Sequence, residues 1–199
     1  MERRYGGNRG PEETLLLCCA RSELGSRHAN ELVRLAQAGV DWDRLLLLAA
    51  NHGLSAFLFA HLNGHAPGPV TSELRSRAHR VAMVNLRLTA EMLRVVAAFQ
   101  AEGLSALPFK GPVLAATLYG DRALREFSDV DVLVHGKDVA RALAVLGELG
   151  YEDGGEVDQE FWECGRQRPM MRKSTGAVLD LHWGLMPKVF ARDTGAEGL

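Results

Sequence analysis

The sequence predicts an α+β fold: a helical N-terminal region packed on a core with a small mixed sheet. Three observations carry this expectation. Up to Gly103, apolar residues recur at spacings of three and four, the mark of helices with one buried face. After Gly103 the pattern changes to short apolar runs separated by glycine turns and helices. Near the end, Pro169–Lys173 and Ala177–Trp183 are β-patterned stretches that pair as a hairpin across Ser174-Thr175-Gly176.

Residues 1–10 are rich in Gly and Arg and are expected to form a disordered tail. A first helix, Glu12–Arg21, carries Leu15, Leu16, Leu17 and Cys19. In the second, Ala29–Ala38, Leu32, Val33, Leu35 and Ala36 fall at helical spacing, and Gly39 supplies the stop. Asp41 is placed to cap a third helix, Trp42–Asn51, with Leu45, Leu46, Leu48 and Ala49 inward. Gly53 breaks it, and a short apolar helix follows through Phe57, Leu58 and Leu62. Residues 63–69, Asn-Gly-His-Ala-Pro-Gly-Pro, form the clearest linker. Beyond it lies one long helix, Thr71–Glu102. Its Leu74, Ala78, Val81, Asn85, Leu88, Met92, Val95 and Phe99 make a single buried stripe, with Arg75, Arg77, Arg80, Arg87 and Arg94 mostly off it. The helical region thus spans 11–102 and the core 103–186, with a polar tail at 187–199.

Within the core, Leu104–Phe109 reads as a strand and Lys110-Gly111-Pro112 as a turn into a helix ending at Gly120. Proline suits the first position of a helix, where its missing N–H has no partner to lose. A polar loop, Asp121–Ser128, leads into the strand Asp129–Val134, acidic at its start and apolar at its end. Val139–Leu149 is a further amphipathic helix closed by Gly150.

Composition narrows the function classes. Apolar residues make up 47% of the chain, enough to form a core, but no apolar run is long enough to span a membrane. Nor does the start carry the apolar run of a signal peptide. A net charge of -2 with dispersed Lys and Arg argues against nucleic-acid binding as the main function, though it leaves an RNA substrate open. Cys18, Cys19 and Cys164 make an odd count with two adjacent, which argues against a disulfide framework and points to a reducing cytoplasm. His28, His52, His61, His65, His79 and His135 show no zinc-ligand spacing. His135-Gly136-Lys137-Asp138 imitates the end of a P-loop but lacks the upstream glycine and the final Ser or Thr.

The chemistry concentrates in Asp129-Val130-Asp131. Side chains two apart on a strand share a face, so the two carboxylates lie side by side while Val130 and Val132 turn into the core. Their mutual repulsion is relieved by a bound divalent cation. Oxygen ligands favour Mg²⁺ or Mn²⁺ over Zn²⁺, and Mg²⁺ commonly combines one or two carboxylates with substrate phosphates. Asp180, an acid within the apolar Val178-Leu179-Asp180-Leu181-His182-Trp183, is the best third carboxylate, because a buried lone acid needs a partner. The competing interpretation makes Asp129 and Asp131 solvated acids on an edge strand. The order strand, glycine turn, helix, acidic strand favours the metal site.

Several blocks carry a family resemblance. Phe109-Lys110-Gly111-Pro112, Leu118-Tyr119-Gly120-Asp121, Arg125–Val134 and Leu179-Asp180-Leu181-His182-Trp183 resemble the uncharacterised bacterial nucleotidyltransferase family of the polymerase-beta-like superfamily. So do Val40-Asp41-Trp42-Asp43 through Asn51-His52-Gly53-Leu54, and Leu149-Gly150-Tyr151, so that the resemblance runs from about Leu15 to Trp183. It implies a nucleotidyltransferase core with transfer of NMP from an NTP such as ATP, releasing pyrophosphate. Asp129, Asp131 and Asp180 would be catalytic metal ligands, with Asp180 also helping to activate the acceptor. Gly111 would let the backbone approach the phosphates. Many superfamily members have Gly-Ser or Gly-Gly at this turn. Here Pro112 removes one N–H donor, and Lys110 is expected to compensate as a point charge.

Other residues have two readings. Arg125 contacts phosphate or is a surface loop arginine, and Ser128 orients the loop by bonding backbone. His182 shares a face with Asp180 and reads first as a structural histidine, second as support for the acid or a contact for substrate. Cys18-Cys19, Trp42 and Trp162 read as packing residues. The acceptor stays open among a small molecule, a peptide, a tRNA and a protein. The resemblance also implies further helices after the Leu-His-Trp block, which stands near the end of this chain. A short version is therefore expected to favour a homodimer, and the alternative function is an inactive binding or regulatory module, such as a biosynthetic or toxin–antitoxin partner.

Overall fold

The computed structural model describes residues 9–62, 64–119, 123–154 and 165–185. The expected tails at 1–10 and 187–199 fall outside these residues almost entirely, as do Gly120-Asp121, Trp162 and Cys164. The elements are α1 (Pro11–Cys19), α2 (Ser26–Gln37), α3 (Trp42–Asn51), α4 (Ser55–Leu62), α5 (Gly68–Ala101), β1 (Ala106–Phe109), α6 (Gly111–Tyr119), β2 (Asp129–Val134), α7 (Val139–Glu148), β3 (Tyr151–Asp153), β4 (Gln167–Arg172) and β5 (Val178–His182). Helices and a five-stranded mixed sheet make this an α+β fold. Among the described residues, no helix is long and apolar enough to cross a membrane.

The described residues divide into two compact units. One takes the chain up to Asn85 with Ala115–Glu126; the other takes Leu86–Leu114 and the residues from Phe127 onward. The long helix α5 runs through both.

In the first unit, α1 to α4 bury Leu15, Leu16, Leu32, Leu45, Leu58 and Leu62 in one cluster that also takes Cys18 and Cys19. Pro11 opens α1, and Glu12 and Glu13 occupy the first turn, where carboxylates meet the positive end of the helix. Asp41 caps α3 as expected, its side chain accepting from the Arg44 N–H at 3.0 Å. The Asp41 N–H in turn donates to the buried Glu12 at 3.0 Å, which ties α1 to the start of α3. Trp42 packs against the cluster, and Cys18 and Cys19 belong to it. Burial pushes the Cys19 thiol up to about 12, so it is inert as a nucleophile.

The long helix begins three residues earlier than the sequence predicts, taking in Gly68-Pro69. Proline is tolerated there because first-turn N–H groups have no helical partner. Six residues of its predicted stripe, Leu74, Val81, Asn85, Leu88, Val95 and Phe99, are buried, and Ala78 and Met92 are half-buried. Gly103, at φ +65°, ends it.

The second unit holds the sheet, in the order β1-β2-β5-β4-β3. The β2–β5 pair is parallel and the other three are antiparallel. The predicted hairpin is present: Arg172 and Ala177 are joined by a 2.8 Å backbone bond, with Gly176 at φ +67° in the turn. The short β3 is an addition to the elements expected from sequence.

Register sorts the sheet into two faces. Val130, Val132, Leu179, Leu181, Met170 and Tyr151 share one, and all are buried. On that face the Tyr151 hydroxyl donates to Glu91 of α5 at 2.8 Å, and Arg172 reaches the same carboxylate at 3.1 Å. The second half of α5 therefore covers this face. Asp129, Asp131, Asp180, His182, Phe109 and Pro169 lie on the other.

Candidate active site

Four neighbouring strands build the site. Asp131 on β2 stands directly opposite Phe109 on β1 and Asp180 on β5, and Pro169 on β4 stands opposite Asp180. Cross-strand partners share a face, so this register aims two carboxylates at one spot. His182 lies two residues beyond Asp180 and points the same way.

Asp131 is the centre of the group. It is only 3% exposed, and its Oδ1 accepts from Lys110 Nζ at 2.7 Å and bonds His182 Nε2 at 3.0 Å. The Phe109 ring meets the imidazole edge-on, centroids 4.9 Å apart, and so fixes the plane of the histidine. Burial alone would push the Asp131 carboxyl up, but the bonds from His182 and Lys110 and the charge of Lys110 outweigh it, and the carboxyl lies below its ordinary range.

Asp180 shows the opposite balance. Burial pushes its carboxyl above the ordinary value, and the charge of Asp129 pushes it further, against smaller opposing effects of His182 and Lys110. Two carboxylates on one face thus have environments that drive them apart, a pattern typical of sites that move protons. One ligand atom each from Asp131, Asp180 and His182 lies within 4.8 Å of the others, a spacing suited to a shared metal ion. Two carboxylate oxygens and an imidazole nitrogen fit a divalent cation without selecting which one.

The other expected residues take varied places. Asp129 is on the acidic face but stands outside that close group, and it acts on Asp180 through its charge. Lys110 adopts a left-handed backbone, φ 54°, which turns its side chain to Asp131. At Gly111 a Cβ would lie 3.3 Å from the Asp129 carbonyl oxygen, so glycine allows α6 to start tight against β2. Ser128 is exposed in the loop just before β2. Arg125, half-buried in the first unit, has its carbonyl bonded by Asn85 of α5 at 2.8 Å.

His182 and Phe109 are the residues whose place the sequence understates. Nothing local distinguishes a buried structural histidine from one on a carboxylate. The Asp-x-His spacing on one strand was the available signal.

A family described as uncharacterised nucleotidyltransferase matches residues 38–197 of this sequence. The chain belongs to that family. No curated protein and no solved structure matches it. As a nucleotidyltransferase family member, it carries its acidic strand, the Lys110-Gly111 turn and the Asp180–His182 strand all within the matched stretch.

Proposed function

We propose that this chain transfers a nucleotidyl group from a nucleoside triphosphate to an acceptor, releasing pyrophosphate. The observation that carries the reading is the convergence of Asp131, Asp180 and His182 in a chain of this family. Asp131 and Asp180, with Asp129 beside them on the same face, would hold a divalent cation, Mg²⁺ or Mn²⁺, and His182 would position Asp131. When bound, the cation supplies charge neutralisation at the phosphates. The acceptor oxygen attacks the α-phosphorus; the new O–P bond forms as the bond to the bridging oxygen of the β-phosphate breaks. Asp180, directly opposite Asp131 on the same face, takes the proton from the acceptor. Gly111 brings the start of α6 to the phosphates and Lys110 adds a positive charge. Ser128 steadies the loop before β2. ATP is the first triphosphate to test. The acceptor is a hydroxyl of a small molecule, peptide, tRNA or protein, and a reducing cytoplasm is the proposed setting.

The test incubates the chain with each α-labelled NTP and cell extract. Label should pass to an acceptor with the wild type and not with Asp129→Ala or Asp131→Ala. Transfer surviving in the double variant would end the proposal.

One observation favours a second reading. Lys110 already neutralises Asp131, and an internal cation standing in for a metal ion would suit an inactive binding or regulatory module. Calorimetry with Mg²⁺ and each NTP separates the two, since the module would give no metal-dependent nucleotide binding.

A further inference from the structure

The contact between Lys110 and Asp131 joins two very unequal partners. The Asp131 carboxylate is 3% exposed, whereas the Lys110 side chain is 50% exposed. A buried carboxylate demands a counter-charge, and an exposed lysine on a flexible four-carbon stem is a counter-charge that can leave. The ammonium also sits 5.0 Å from the centre of the Phe109 ring. That ring is itself set against His182, and the lysine makes this contact together with the one to Asp131. Lys110 immediately precedes Gly111, at the N-terminal end of α6. A short swing of the side chain therefore leads away from the carboxylate without moving the backbone of β2.

Asp131 Oδ1 is contacted by Lys110 and by His182 together. His182 is buried and held by Phe109, so it stays. Lys110 is the partner free to be exchanged, and a divalent cation drawn to Asp131 and Asp180 would repel its ammonium. We infer that Lys110 is a resident counter-ion, displaced from Asp131 when a divalent cation binds and then paired with the triphosphate. Metal and nucleotide binding are thereby coupled: the metal frees the lysine that the phosphates need, and the phosphates hold away the lysine that competes with the metal. This inference rests on the nucleotidyl-transfer reading of the site.

The experiment titrates Mn²⁺ alone, without nucleotide, into the full chain and into Lys110→Met, Lys110→Gln, Lys110→Arg and Asp131→Asn, by calorimetry. Removing the competing charge should tighten Mn²⁺ binding about tenfold in Lys110→Met and Lys110→Gln, within the range of ordinary site–site coupling. Lys110→Arg, which keeps the charge, should match the wild type, and Asp131→Asn should lose binding. Thermal melts confirm that each variant is folded. Unchanged or weaker Mn²⁺ binding in both neutral variants, with the wild type binding normally, overturns the exchange and leaves the nucleotidyl-transfer reading standing. Absence of any Mn²⁺ binding that depends on Asp131 overturns both.

Discussion

Replacing Asp131 and Asp180 by Asn, one at a time, compares a carboxylate that its surroundings favour with one that they oppose. The Asp131–His182 bond is buried at both ends and counts as a charge-assisted hydrogen bond of about 1.5–3 kcal/mol. The Lys110 partner is half exposed, so solvent reduces its share to about 0.5–1 kcal/mol. An Asn at 131 keeps one carbonyl oxygen and retains part of this, which leaves a net loss of about 2 kcal/mol. Asp180 instead faces burial and the charges of Asp129 and Asp131. Replacing it by a neutral amide of the same shape should change stability by about 0–1 kcal/mol, in the stabilising direction. The assay is urea unfolding at pH 7 in EDTA, followed by circular dichroism, with similar slopes required across variants. Equal destabilisation by both substitutions would refute the reasoning.

Acid adds a second check on the same pair. The folded-state pKa of Asp131 is lowered, so its contribution is present above the ordinary carboxylate value and lost as pH falls through the folded value. For Asp180 the folded pKa is raised, so its contribution is present below the ordinary value and lost as pH rises through the folded one. The Asp131→Asn penalty should therefore fade in acid, while the relative gain from Asp180→Asn should appear on going from acid to neutral pH.

Two further predictions concern how the site is supported. Glu91 accepts from the buried Tyr151 hydroxyl and pairs with Arg172, which is mostly buried, whereas its contact with the exposed Arg94 is 3.6 Å long. Arg172→Ala should cost about 3 kcal/mol in urea unfolding, and Arg94→Ala no more than about 0.5 kcal/mol; similar losses would mean that Glu91 does not anchor α5 to the sheet. Gly111→Ala places a Cβ 3.3 Å from the Asp129 carbonyl, so stability should fall by about 1 kcal/mol and nucleotidyl transfer several-fold. A variant as stable and active as the wild type would show that this close approach is dispensable.

Much of the local architecture was legible because its causes are local. Asp41 caps α3 through a bond to a residue three positions on. The apolar stripe of α5 follows from its periodicity, and the Ser174-Thr175-Gly176 turn closes the hairpin where glycine permits a positive φ. Element ends shifted by a few residues, as at Gly68-Pro69, because first-turn backbone groups tolerate several starting points. The strand Tyr151–Asp153 has no signal in the sequence: three residues carry too little periodicity to announce a strand, and its pairing with β4 depends on a segment well beyond it in the chain.

For the site, the sequence determined which side chains share a strand face: Asp129 with Asp131, and Asp180 with His182. That follows from the two-residue repeat of any strand and needs no partner. Tertiary structure alone decided the register that sets Asp131 opposite Asp180, and with it the bond from His182 to Asp131, the edge of Phe109 on the imidazole and the arrival of Lys110. Register is a property of two strands together. A slip of one residue would have turned Asp180 to the face covered by α5 without changing a letter of the sequence.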